Sequence, residues 1–239
     1  MVNPSDRLIL ALDVDTIEEG LHTASSLKSV LHRIKVGHQL YAKGGLQFLH
    51  SLMKMGYKIF LDLKMHDIPN SVRMGVEALA GEGIWALTLH SAGGRAMLEE
   101  ALEGRDRVGS SMLLLGVTVL TSMNEEMWQE VAPGCPLQEA LRARAEVCAE
   151  VGIPGLVCSP LDLPLINKTS GRKLIKVVPG IRPSKGSDDQ VRTATPRGAV
   201  LSGANYLVVG RPILRAENRQ EAVRAILKEI EGAIICSED

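Results

Sequence analysis

What the chain lacks narrows its class first. It has no excess charge: 27 basic against 28 acidic side chains leave a formal net charge of −1 over 239 residues, with both signs interspersed. That argues against a basic surface for nucleic acid or membrane and against a charged tail. It has no long apolar run either. The first such stretch, Leu8 to Leu12, is too short to span a bilayer and lacks the flanks of a signal peptide, so the expected location is the cytoplasm. Cys135, Cys148, Cys158 and Cys236 show no C-x-x-C spacing and read as reduced, structural thiols rather than a zinc site or a disulfide framework. No polar linker, low-complexity tract or composition shift divides the chain. Residues 1–239 are therefore expected to form a single domain, long enough to bury a substantial core.

What is present is an alternation. Short runs rich in Val, Ile and Leu recur eight times: Leu8–Val14, Arg33–Gly37, Tyr57–Lys64, Ile84–His90, Met112–Val119, Gly155–Ser159, Leu174–Gly180 and Tyr206–Arg211. Between them lie segments of helical period, among them Ile17–Leu31, Gly45–Met55, Ser71–Glu82, Arg95–Leu102, Leu137–Val151 and Arg219–Ile234. Strand alternating with helix implies a parallel sheet with right-handed crossovers, and eight repeats permit closure into an α/β (β/α)8 TIM barrel. An open doubly wound sheet is the alternative.

The stretch Phe60-Leu61-Asp62-Leu63-Lys64-Met65-His66-Asp67-Ile68-Pro69-Asn70 carries the chemistry. Ile59, Leu61 and Leu63 share one face of a strand while Phe60, Asp62 and Lys64 share the other, so two opposite charges point the same way. By the same parity Asp13 belongs with Ile9 and Ala11 in the first strand, and Lys35 with Arg33 in the second. If the apolar faces meet the outer helices, Asp13, Lys35, Asp62 and Lys64 project into the barrel from three consecutive strands. All four sit at or near strand C-terminal ends, where barrel enzymes keep their chemistry. Their alternating sign lets each buried charge be neutralised by a neighbour and leaves a fixed field in a dry cavity.

Other segments suit an anion. The seventh strand runs into Val178-Pro179-Gly180-Ile181-Arg182-Pro183 and the eighth into Val209-Gly210-Arg211-Pro212. Loops at those two positions of a barrel frequently bind phosphate through glycine amides, and Arg182, Gln190 and Arg211 could add side-chain donors. Leu120-Thr121-Ser122-Met123-Asn124 offers hydroxyls and amides for a polar ring, or equally for capping a helix. His90 ends the fourth strand and reads as a hydrogen-bonded core histidine rather than a base. Asp13, Asp62 and Asp67 could hold a divalent cation, but the interleaved lysines already supply the counter-charge, so neither metal nor cofactor is expected.

Taken together, Asp62-Leu63-Lys64-Met65-His66-Asp67-Ile68-Pro69-Asn70 resembles the D-x-K-x-x-D-I-P-N signature of the orotidine 5′-phosphate decarboxylase family. Leu12-Asp13, Ile34-Lys35-Val36-Gly37, Leu120-Thr121-Ser122, Pro179-Gly180-Ile181-Arg182-Pro183 and Val209-Gly210-Arg211-Pro212 match in order. Ser71 stands where the family usually has Thr, with the hydroxyl retained.

The resemblance implies that Lys64 protonates the pyrimidine at C6 as carbon dioxide leaves, with Asp62 against the departing carboxylate. Lys35 and Asp13 would hold the ribose hydroxyls, and Thr121 and Ser122 would face the pyrimidine edge. Arg182, Gln190, Gly210 and Arg211 would bind the phosphate. The resemblance further implies substrate contacts from Ile68 and Ser71, and a homodimer in which Asp67 enters the partner's site. Two other readings remain: a magnesium-dependent decarboxylase or aldolase acting on a phosphorylated keto-sugar, and a silent barrel that only binds a nucleotide. Thr121-Ser122 and Ile68-Pro69-Asn70 stand against the first, the intact Asp62 and Lys64 against the second.

Overall fold

A computed structural model of the chain describes residues 4–183 and 193–238. Eight strands, β1 (Leu8–Ala11), β2 (Arg33–Val36), β3 (Lys58–Met65), β4 (Ala86–His90), β5 (Leu113–Val117), β6 (Gly155–Val157), β7 (Ile175–Val178) and β8 (Tyr206–Val209), pair in sequence order. Every pairing is parallel, and β1 bonds to β2 on one side and β8 on the other, so the sheet closes. That closure makes the fold a (β/α)8 barrel and rules out the open sheet. The helices among the described residues are α1 (Ile17–Leu27), α2 (His38–Lys54), α3 (Pro69–Ala80), α4 (Gly94–Arg107), α5 (Glu125–Val131), α6 (Leu137–Val151), α7 (Leu163–Ile166), α8 (Pro196–Leu201), α9 (Arg211–Leu214) and α10 (Arg219–Glu238).

Strand parity divides the core as the sequence pattern requires. Leu8, Leu10, Leu12, Ile34, Val36, Ile59 and Leu61 pack outward with helix residues such as Phe48, Leu49 and Val76. Ile9, Ala11, Phe60, Ala86, Leu115, Val117, Val157, Val177 and Val208 fill the lumen. Arg33 also points inward, at the end of the barrel where the strands begin. It is 5% exposed, its Nη1 lies 2.6 Å from Asp6 Oδ1, and its guanidinium sits 5.0 Å from the Trp85 ring centroid and 5.5 Å from that of Tyr206. A carboxylate and two aromatic faces thus compensate the buried cation. Its hydrogen bond holds the Asp6 carboxyl below the usual range.

Several helices differ from the expected bounds: α1 stops at Leu27 rather than Leu31, α3 runs from Pro69 to Ala80 rather than from Ser71 to Glu82, and α10 continues past Ile234 to Glu238. Helix α2 begins at His38 rather than Gly45, and Gly45 sits inside it with φ 51° and ψ −148°, a kink where the chain leaves helical geometry and resumes it. The Gly44-Gly45 pair reads locally as a stop. Tertiary packing overrides it, because Leu40 on one side of the kink and Phe48, Leu49 and Leu52 on the other are all buried. Helix α4 runs on past Leu102 to Arg107, and Gly104 lets it approach α3: a Cβ there would lie 2.4 Å from the backbone oxygen of Arg73. Helix α6 spans Leu137–Val151 as its periodicity predicts, and Gly152 ends it in the left-handed region at φ 91°. None of the four cysteines is joined in a disulfide, and Cys148 and Cys158 are buried. No helix among the described residues is long and apolar enough to cross a membrane.

Candidate active site

A cavity of about 300 Å³ opens where the strands end. Asp13, Lys35, Asp62, Lys64, Thr121, Ser122, Arg182, Gly210 and Arg211 all line it, above an apolar floor that includes Ala11, Val117, Val157 and Val208. Six separate stretches of sequence thus converge on one space. Asp67, Ile68 and Ser71 are exposed and do not line this cavity, and Gln190 and the 184–189 loop lie outside the described residues.

The four charges form a chain. Lys35 Nζ lies 3.5 Å from Asp13 Oδ1 and 3.4 Å from Asp62 Oδ2, while Lys64 Nζ donates to Asp62 Oδ1 at 2.9 Å. The Asp62 side chain is 13% exposed, as is that of Lys35. Burial pushes the Asp62 carboxyl up. The charges of Lys35 and Lys64, with hydrogen bonds from Lys64 and Thr88, together outweigh burial and hold it below the usual carboxylate range. Asp62 is therefore an anion at neutral pH, locked between two cations. Deleting one partner of such a buried pair leaves an uncompensated charge, typically at a cost of about 3–5 kcal/mol.

Strand β3 places Lys64 by an irregularity rather than by plain alternation. Leu61 opposes Leu87 and Met65 opposes Leu89, so β3 spends four steps where β4 spends two. Lys64 takes up the excess with φ 50°, the only positive φ at a non-glycine among the described residues. For an L-residue this conformation costs about 1–2 kcal/mol and persists only where the surroundings impose it. Its backbone N–H is held by Thr88 Oγ1 at 2.8 Å, and that hydroxyl donates in turn to Asp62 Oδ1 at 3.0 Å. Thr88 is not among the residues expected at the site from sequence, and its inward parity with Ala86 is the one local signal that points to it.

The loop after β5 is anchored before it reaches the cavity. Arg144 from α6 donates to the Thr118 carbonyl at 2.6 Å while its guanidinium lies 4.9 Å from the Trp128 centroid, and Asn124 caps α5 by accepting from the Met127 N–H at 2.9 Å. Thr121 and Ser122 are left between these two fixed ends. Asn124 thus takes the capping role and the two hydroxyl residues take the cavity wall.

On the anion side, Gly180 has φ 78°, and the chain after it bonds across to Ala194, with Arg182 N–H donating to the Ala194 carbonyl at 2.9 Å. Gly210 precedes α9, and a Cβ there would come within 3.2 Å of the Ala11 Cβ, so the glycine keeps the wall thin beside Asp13. His90 is half-buried, its Nδ1 accepts from the Ala92 N–H at 3.3 Å, and its ring stacks on His66. Burial, then the charges of Arg144, His66 and Lys64, push its pKa down to about 4. It is neutral at pH 7 and caps a turn. No group of three or more His, Cys, Asp or Glu side chains with metal-binding geometry occurs among the described residues.

Comparison with known proteins agrees over nearly the whole chain. Residues 6–226 match the model of the family described as "Orotidine 5′-phosphate decarboxylase / HUMPS family". The orotidine 5′-phosphate decarboxylase of Hahella chejuensis is 39% identical over 227 residues, covering 95% of this chain and 97% of that protein. The enzyme of the same name from Carboxydothermus hydrogenoformans is 40% identical over 235 residues, covering 96% and 98%. Among solved structures, the orotidine 5′-phosphate decarboxylase of Lactobacillus acidophilus superposes with a TM-score of 0.82 at 37% identity, covering 93% of this chain and 98% of the other.

Proposed function

The chain belongs to the orotidine 5′-phosphate decarboxylase / HUMPS family, and from that membership we propose that it is a carboxy-lyase converting orotidine 5′-phosphate to UMP and carbon dioxide. The observation that carries the reading is the Asp13, Lys35, Asp62, Lys64 charge chain lining one cavity with Arg182, Gly210 and Arg211. The keto-sugar alternative needs a metal. In this cavity the Asp62 carboxylate is already engaged by two lysines and a threonine hydroxyl.

The chemistry follows from the geometry. Breaking the bond between C6 and the carboxylate leaves an electron pair on an sp² ring carbon with little delocalisation, so the transition state needs a cation beside C6 and then a proton. Lys64 supplies both: its ammonium stabilises the developing carbanion and donates a proton to C6 as carbon dioxide departs. Asp62 holds that ammonium in place and faces the leaving carboxylate. Lys35 and Asp13 receive the ribose hydroxyls, Thr121 and Ser122 the pyrimidine edge. Arg182, Arg211 and the Gly210 amide receive the phosphate, joined by Gln190. The phosphate is remote from the bond that breaks, so its binding energy serves catalysis by organising the site.

The proposal extends to a two-fold homodimer in which Asp67 completes the partner's charge chain, with Ile68 and Ser71 near the shared boundary. In support, Asp67 is exposed and outside its own cavity, and the neighbouring Ile68 and Met74 are 66% and 58% exposed. The enzyme would act in the cytoplasm, at the last step of de novo pyrimidine nucleotide synthesis. The test is direct: orotidine 5′-phosphate absorbance should fall on adding the protein, at the same rate with and without EDTA. Absence of turnover, or turnover abolished by the chelator and restored by magnesium, would overturn the reading.

A further inference from the structure

We propose that Thr88 is a positioning residue for this reaction, its single hydroxyl fixing where the Lys64 ammonium stands by tying the left-handed turn of β3 to the Asp62 carboxylate. The inference rests on the decarboxylase reading and adds to it a residue outside the cavity wall. Thr88 is fully buried and lines no part of the cavity.

Its hydroxyl carries one proton and can also accept. It accepts from the Lys64 N–H at 2.8 Å and donates to Asp62 Oδ1 at 3.0 Å, the same oxygen that receives Lys64 Nζ at 2.9 Å. The contacts form a closed ring, with Lys64 held at both its backbone and its ammonium end. The need for the ring lies in the register slip between Leu61 and Met65, where β3 leaves the ladder and a β4 side chain takes over as the Lys64 N–H acceptor. An isosteric valine would leave both the N–H and the carboxylate oxygen short of a partner, with the positive-φ turn no longer tied.

Asp62 is faced by Lys35 from β2, Lys64 from β3 and Thr88 from β4, with Asp13 behind Lys35. A carboxyl held below its usual range stays ionised until the pH falls through that lowered value. Removing a hydrogen bond to its ionised form raises the value and moves the acid limb of activity to higher pH.

The experiment measures kcat and KM for orotidine 5′-phosphate across pH, with thermal melting, for wild type, Thr88→Val and Thr88→Ser. Because displacement of a reacting group by about 1 Å can cost roughly a hundredfold, Thr88→Val should lower kcat about 10- to 100-fold. KM should stay within about threefold, since the cavity wall is intact. The acid limb should move to higher pH, and Thr88→Ser should recover both kcat and the limb. A merely structural role would lower the melting temperature and leave kcat and the limb unchanged below it. That result, or Thr88→Ser as slow as Thr88→Val, overturns the proposal. If Thr88→Val does not fold, Thr88→Cys carries the comparison, its thiol being of similar size but a weak hydrogen-bonding group: slow Cys with fast Ser supports the proposal, and both fast overturns it. A wild-type protein inert toward the substrate fails the activity reading and this inference with it. An active wild type with a fully active Thr88→Val fails this inference alone.

Discussion

Arg211 follows Gly210 at the mouth of the cavity, and Arg182 lines the same space from the end of β7. A charged hydrogen bond to phosphate contributes about 1.5–3 kcal/mol, so Arg211→Ala should reduce kcat/KM for the phosphorylated substrate by roughly ten- to a hundredfold. The phosphate-free nucleoside should be turned over almost as well by the variant as by wild type. Equal losses for the two substrates would remove Arg211 from the phosphate site. Asp62 and His90 show the same environment acting on groups of opposite sign. Burial disfavours charge in both. Asp62 stays ionised because two lysines and a hydroxyl oppose burial, whereas Arg144, His66 and Lys64 around His90 disfavour its charged form and add to burial.

Between elements, the close approach is α3 against α4, where Gly104 meets the Arg73 backbone. The obstacle to a larger residue is a carbonyl oxygen, which cannot rotate aside as a side chain can. Gly104→Ala gains helix propensity, but the clash forces the helices apart, at a cost typical of overpacking, about 1–3 kcal/mol. Urea denaturation should show a lower midpoint with little change in slope. An unchanged or raised midpoint would mean that the contact yields without cost. Strand β3 is the other element under tension, since its slip against β4 places Lys64 while Leu61 keeps its partner in β4.

For the whole molecule, the proposed dimer is reciprocal: each subunit gives one Asp67 and receives one. Lys64→Ala removes the proton donor and the cation beside the carbanion. Proton donation alone is worth on the order of 10²–10⁴-fold, so that variant and Asp67→Ala should each be nearly inactive by itself. In a mixed dimer one site lacks both groups and the other has both. Random reassociation of equal amounts makes about half the dimers mixed, each with one good site of two, so activity should return to roughly a quarter of wild type. If mixed dimers are shown to form and stay inactive, Asp67 acts within its own subunit.

The alternation of strand and helix, the inward parity of Asp13, Lys35 and Asp62, and the glycine–arginine ends of the last two strands were legible in the sequence. They are properties of local period, and a period of two along a strand fixes which face a side chain shares whatever the neighbouring strand does. Closure was expected from the eight repeats and is borne out, but the repeats alone also fit an open sheet, and the pairing of β8 with β1 is what decides between them. The helix resuming across Gly45 was not legible, since it depends on buried neighbours rather than on the glycine pair itself. The left-handed turn at Lys64 and the part played by Thr88 also belong to the tertiary structure. A register slip is a relation between two strands, and the hydroxyl that stabilises it lies 24 residues further along the chain. Local pattern could name the four charges. The distances that make them one chain, with an ionised Asp62 at its centre, arise only when three strands are brought side by side.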